Sequence, residues 1–187
     1  MNLPKLILAS GSPRRSEILN FVGWEFEKQV ADVDETEFPG EKPADYVKRL
    51  AIKKAAAVAG SFGNNFVLGA DTIVVIDGEI IGKPVDLDDA GKMIRKLSGR
   101  WHEVLTGVAV IRNSNTAVEV QETRVKFKKL DDNEIEFLVN QGEPLDKAGA
   151  YAVQAQAALF IEEIEGDYWN VVGLPVNLVY RLVRENL

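Results

Sequence analysis

The stretch LILASGSPRRSEIL, Leu6 to Leu19, decides how the chain begins to fold. Leu6-Ile7-Leu8-Ala9 is a short apolar run that reads as a buried strand, and a helix entry follows within a few residues. Ser12 predicts an N-cap, and Pro13 suits the first helical position, where its missing N–H removes a donor that has no intrahelical partner. Arg14 and Arg15 then fall in the first turn. Cations are misplaced there, because the exposed amides and the macrodipole already make that end positive, at about 0.3–1 kcal/mol per charge. Read structurally, the pair is a solvated turn relieved in part by Glu17. Read functionally, helix amides and two guanidinium groups form a site for phosphate oxygens.

The alternation of strands and helices continues downstream. The first helix runs on to Val22 and stops at Gly23, and Trp24 to Ala31 alternates as a strand. The acidic stretch DVDETEFPGEKP (Asp32 to Pro43) reads as a loop, and a helix is predicted from Ala44 to about Ala59. FVLGADTIVVIDGEIIG reads as a buried strand, an interruption, a second strand and a hairpin turn at Asp77-Gly78. Asp86 to Gly99 is a helix with an acidic first turn, late basic residues and a Gly stop. Two long strands follow, Glu103 to Arg112 and Ala117 to Lys128, joined by the polar NSN. DDNEIEFLVNQG is a further helix, Leu159 to Ile164 and Tyr168 to Val172 form a hairpin, and Pro175 to Asn186 closes as a helix. Hairpins among alternating helices and strands predict a mixed sheet in an α/β fold.

The chain has 187 residues, enough for one domain over residues 1–187 with a sizeable core. A net charge of −7 argues against a duplex nucleic-acid binder, which needs a basic face, but leaves room for a local anion site. The absence of cysteine excludes disulfides, thiolate zinc sites and cysteine nucleophiles. His102 is the single histidine, so multi-histidine metal sites are excluded too, and a metal would be a hard cation held by carboxylates. The apolar run before Ser10 is too short for a signal-peptide core or a membrane span, so a cytoplasmic protein without membrane contact is expected.

Beyond the arginine pair, three features resist a purely structural reading. Lys54 falls in the middle of the apolar face formed by Val47, Leu50, Ala51 and Val58, whereas Lys53 points away. Such a lysine either snorkels to the edge or needs an anionic partner. Asp71 lies between VLGA and TIVVI, where an isolated carboxylate requires donors, a cation or a metal. The structural alternative makes it a bulge or turn residue, with Gly69 supplying the bend. GKP (Gly82 to Pro84) holds Lys83 in a tight loop just after a strand. In the acidic loop, Asp34 and Glu35 are candidates to help ligate a hard cation, though such loops are commonly just solvated. Arginines, lysines and carboxylates without a nucleophilic thiol suit metal-assisted attack of water on a phosphate ester or anhydride.

These residues fall in an ordered set of short motifs: LASGSPRR (Leu8 to Arg15), DE (Asp34-Glu35), LAIKKA (Leu50 to Ala55), GADT (Gly69 to Thr72), GKP, KLSG (Lys96 to Gly99), EPLDKAGAY (Glu143 to Tyr151) and VVGLP (Val171 to Pro175). In order and spacing the set resembles the Maf family of nucleoside triphosphate pyrophosphatases along essentially the whole chain. The resemblance implies an elongated mixed sheet flanked by helices, similar to inosine triphosphatase, with two lobes and a central cleft. It implies cleavage of a nucleoside triphosphate to the monophosphate and pyrophosphate, a divalent cation such as Mg²⁺ or Mn²⁺, and a homodimer, since dimers are common in the family.

Carried over by position, Asp71 matches the family's proton acceptor. Ser10, Arg14, Arg15, Lys54 and Lys83 match residues of the phosphate site, and Glu35, with Asp71, lies where the metal is held. DKAGAYAVQ looks like the subgroup acting on dTTP and UTP, in which Arg14, Thr72 and Gln154 match positions linked to substrate choice. The chain departs from that subgroup at Ala155 and Ala152, where Gly is common. A nucleotide-binding regulator with little turnover, in keeping with the family's older link to septum formation, is the alternative reading. A phosphohydrolase that removes one phosphate at a time is the third. The pyrophosphatase and the regulator both need the phosphate site, only the enzyme needs Asp71, and release of pyrophosphate or orthophosphate separates the three readings.

Overall fold

Leu6–Leu8 form strand β1, fully buried and placed between two parallel neighbours. One neighbour is β2 (Phe26–Lys28), the other β3 (Phe66–Ile76), with Leu6 opposite both Phe26 and Phe66. The structure is a computed structural model that describes residues 3–186. Chain order continues through α1 (Pro13–Phe21), α2 (Pro43–Ala59), β4 (Glu79–Ile81), α3 (Leu87–Leu97), β5 (Trp101–Arg112), β6 (Asn115–Phe127), α4 (Asp132–Gln141), β7 (Ile161–Glu165), α5 (Tyr168–Val172) and α6 (Val176–Glu185). Among the described residues the sheet has seven strands, in the order β2-β1-β3-β5-β6-β7 with β4 paired to β3. Parallel pairing at β1 and antiparallel pairing of β3 with β4 and of β6 with β7 make it mixed, as the hairpin signals predict.

Contacts divide the chain into two compact units, one of residues 1–72, 106–121 and 173–187, the other of residues 73–105 and 122–172. In the first, Ile7, Ala9, Val67, Ala109 and Ile111 pack with Ala51, Ala55 and Val58 of α2. The helix comes unusually close to the strands, and two glycines allow it. A Cβ on Gly69 would stand 2.2 Å from the Ala51 carbonyl oxygen, and one on Gly107 would stand 2.2 Å from that of Val47. Backbone cannot yield to such an overlap, so only glycine seats α2 at this depth.

In the second unit α3 and α4 pack together. Asp86 accepts from the Asp89 amide at the start of α3, and Asp131 and Glu134 complete a capping box on α4. The β3–β4 hairpin turns at Asp77 and Gly78, both at positive φ, the conformation a two-residue hairpin of this hand requires.

Three expectations need correction. Phe66 to Ile76 is one unbroken strand, so Gly69 serves helix packing and not a bend, and Asp71 is not a turn residue. The strand predicted over Trp24 to Ala31 shortens to β2, because Trp24 turns inward and donates its indole N–H to the Pro4 carbonyl at 2.8 Å. The hairpin predicted after Leu159 does not form. Its first arm is β7, paired with β6, but Tyr168–Val172 is the helix α5. Asp167 Oδ1 accepts from the amide of Trp169 at 2.7 Å, which caps that helix. Asn170 then fixes it by donating to the Val104 carbonyl and to Thr123 Oγ1.

His102 is buried in the second unit, with Nε2 2.7 Å from the Tyr151 hydroxyl and the ring stacked on Phe127. Burial lowers its pKa from 6.5 to about 4. The unfolded chain takes up this proton as pH falls through 6.5, but the folded chain does so only near 4. This contribution to stability is therefore complete above 6.5 and is lost as pH falls through about 4. At roughly 1.4 kcal/mol per unit the loss is about 3 kcal/mol. His102→Gln keeps a polar partner for Tyr151 and does not titrate. In urea melts between pH 7 and pH 4, the wild type should lose about 3 kcal/mol more than this variant. Parallel profiles would contradict the assignment.

Candidate active site

The site grows from the seating of α2 on β3. Gly69 and Asp71 are two residues apart on one strand and so share a face, the face that Ala51 and Ala55 cover. Lys54 lies on the same buried stripe of α2 as Val47, Leu50, Ala51, Ala55 and Val58. Its ammonium therefore meets Asp71, with Nζ 2.7 Å from Oδ1. Lys54 is 9 % exposed and Asp71 7 %, so each charge is buried against the other. Each of the two out-of-place residues in the sequence is the partner the other requires.

A second carboxylate joins them. Glu35 Oε1 lies 2.6 Å from Lys54 Nζ, reaching it from the acidic loop between β2 and α2. Asp34, next to it, turns its carboxylate onto the amide and hydroxyl of Thr36 instead. Burial raises the pKa of Asp71, and the Lys54 ammonium beside it opposes the rise. The outcome is a carboxylate that accepts a proton more readily than an exposed aspartate does.

Arg15 lies in the same unit and is buried as well. Its guanidinium donates to the carbonyls of Gly173 and Ala70, to Ser10 Oγ and to Thr72 Oγ1, at 2.8–3.1 Å. Burial lowers the pKa of this arginine, while the charge of Asp71 opposes the shift. Ser10 Oγ also accepts from the Ser12 amide, and Ser12 occupies the N-cap position of α1 without the side-chain bond predicted for it. Thr72 Oγ1 shares a 2.9 Å hydrogen bond with Thr106 Oγ1. Arg14, in contrast, is half-buried. The two arginines therefore differ in kind, and Arg15 ties the β1–α1 turn, β3 and the Gly173 segment together.

Of the residues selected from sequence, the structure brings Ser10, Arg15, Glu35, Lys54, Asp71 and Thr72 into these two linked networks of the first unit. Lys83 and Gln154 belong to the second unit, where both are exposed. The Gly82 carbonyl accepts from the Gly149 amide at 3.0 Å, which joins the loop carrying Lys83 to the segment leading to Gln154. Ala155 lies at φ −123°, outside the left-handed region that favours glycine. Thr106 was not among the sequence candidates. The burial of Arg15 was legible, because Arg15, Ile18 and Leu19 are spaced as one helical face.

A divalent cation fits this donor set in one respect. Glu35 and Asp71 converge on a single point, now held by an ammonium group. Among the described residues no group of three or more His, Cys, Asp or Glu could hold a metal ion. A hard cation here would draw its other ligands from water or from phosphate oxygens, which is how Mg²⁺ is commonly held. Among the described residues no helix is long and apolar enough to cross a membrane.

Residues 5–186 match the family described as Maf-like protein. The chain belongs to that family. A protein of Symbiobacterium thermophilum named dTTP/UTP pyrophosphatase is 49% identical over 183 residues, covering 98% of this chain and 94% of its own length. One of the same name from Anaeromyxobacter dehalogenans is 52% identical over 185 residues, covering 97% of this chain and 93% of that one. Among solved structures, the Staphylococcus aureus Ham1 protein aligns with a TM-score of 0.56 at 16% identity, over 98% of this chain and 100% of that one. This last likeness is one of fold.

Removing the Lys54 charge leaves a buried carboxylate without its cation. Lys54→Met should destabilise the protein by about 3 kcal/mol or more at pH 7, as expected when a buried pair is broken from one side. In an Asp71→Asn background the same change should cost much less, because the uncompensated charge is gone. Equal losses in both backgrounds, measured by denaturant melts, would show that the pair is not coupled.

Proposed function

We propose that the chain is a nucleoside triphosphate pyrophosphatase that hydrolyses UTP and dTTP between the α- and β-phosphates. The observation that carries the reading is Asp71. It is a buried carboxylate of raised proton affinity, held by a lysine and adjoining an arginine-bound turn, in a chain whose relatives are named dTTP/UTP pyrophosphatase. In this reading Asp71 orients a water molecule toward the α-phosphorus and accepts its proton. Lys54 is close enough to keep the carboxylate aligned before the transfer and to offset charge developing on the phosphate afterwards.

Arg14 supplies positive charge to the triphosphate. Ser10 and Arg15 fix the turn that receives it, with Arg15 acting chiefly through its bonds to Ser10, Ala70 and Gly173. Glu35 and Asp71 would hold a divalent ion, which when bound neutralises phosphate oxygens and acidifies water. Thr72 and Arg14 are the residues proposed to choose the base.

Product analysis tests the bond that is cut. With UTP or dTTP and Mg²⁺ or Mn²⁺, the protein should release UMP or dTMP and pyrophosphate, and should turn these nucleotides over faster than CTP or GTP. UDP and orthophosphate as first products would overturn the proposed cleavage. Tight nucleotide binding without product would favour a regulator.

A further inference from the structure

Glu35 owes its position to a loop with no regular secondary structure, and three side chains of α2 hold that loop by its backbone. The carbonyls of three consecutive residues, Asp34, Glu35 and Thr36, accept hydrogen bonds from Lys53 Nζ at 2.7 Å, Tyr46 Oη at 2.9 Å and the Arg49 guanidinium at 3.0 Å. Tyr46, Arg49 and Lys53 recur at helical spacing, so they form one stripe beside the buried face that carries Lys54.

Arg49 does most of this holding. Its Nε and a terminal nitrogen each lie 2.6 Å from one oxygen of Glu41, a two-point grip that fixes direction as well as distance. Glu41 in turn accepts from the Phe38 amide at 3.2 Å, and the Phe38 ring lies over the guanidinium at 4.0 Å. An exposed aromatic, 53% accessible, thereby acquires a role as the cover of an arginine.

We propose that Arg49 is a positioning residue of the reaction, clamping residues 34–41 onto α2 so that the Glu35 carboxylate stays beside Lys54 and Asp71. The assignment rests on the reading of Glu35 as a carboxylate of the site. Arg49 itself touches Glu41, Thr36 and Phe38 and acts through the loop. Displacement of a site group by about 1 Å is enough to cost up to ~10²-fold in rate. Tyr46 and Lys53 still hold their two carbonyls when Arg49 is lost, so the expected loss is smaller than that limit.

Arg49→Met and Arg49→Lys test the clamp in the full-length chain. Arg49→Met should lower kcat for UTP by about tenfold, and Arg49→Lys should fall in the same direction, because an ammonium cannot span both Glu41 oxygens. In a Glu35→Gln background the residual kcat should change less than about threefold, since the group being positioned is no longer a carboxylate. Amide exchange over residues 34–41 should quicken by about tenfold or more, while β3 keeps its protection. Equal losses of kcat in the wild-type and Glu35→Gln backgrounds, or unchanged exchange in the loop, would overturn the proposal. If Arg49→Met fails to fold, Arg49→Lys decides by the same measurements. A wild type that makes no pyrophosphate from UTP would strike at the proposed function, and loop exchange alone would then decide the clamp.

Discussion

The close approach of α2 to β3 and β5 is the constraint on which the first unit depends. Two glycines permit it, Gly69 under Ala51 and Gly107 under Val47. Because the seat is deep, Lys54 Nζ lies 2.7 Å from Asp71, and two charges that could not be buried singly are buried together. The same helix carries Tyr46, Arg49 and Lys53 on its adjoining stripe, and these hold the acidic loop that delivers Glu35. One packing distance thus sets the position of both carboxylates.

Among the described residues of this unit, the two buried cations are satisfied in different ways. Lys54 faces the carboxylates of Glu35 and Asp71, so its charge is matched by direct contact. Arg15 faces carbonyls and hydroxyls, which satisfy its donors and leave its net charge unmatched by direct contact. A buried guanidinium held in this way projects a preorganised positive potential. The misplacement of two arginines at a helix N-terminus thereby has a physical account. One of them is a rigid internal strut, and the turn it braces follows the carboxyl end of β1, where ligands of parallel sheets characteristically bind.

Much of this was legible in the sequence, for reasons that differ by residue. Periodicity placed Lys54 on the packed face of α2, and the apolar context of Asp71 marked it as needing donors, a cation or a metal. Each residue was found by its conflict with its surroundings. Their pairing was not legible, because it depends on the crossing of a helix over a strand, which no local pattern encodes. Gly69 was misread as a bend for the same reason: its role lies in the Ala51 carbonyl across the interface. The loss of the expected hairpin at Tyr168 has a local cause, since Asp167 caps α5, and a distant one, since Asn170 is bound to Val104 and Thr123. Arg15 shared a helical face with Ile18 and Leu19, and the periodicity that exposed Lys54 would have exposed it too.

Asp71 as the proton acceptor is the central claim, and the steady-state kinetics of Asp71→Asn with UTP and Mg²⁺ test it most directly. The amide keeps the size of the side chain and its place beside Lys54, but it cannot take a proton from water. With Asp71 as the base, kcat should fall by about 10²-fold or more with nucleotide affinity retained or improved, because repulsion of the triphosphate is reduced. Turnover near the wild-type rate, with the variant folded, would contradict it.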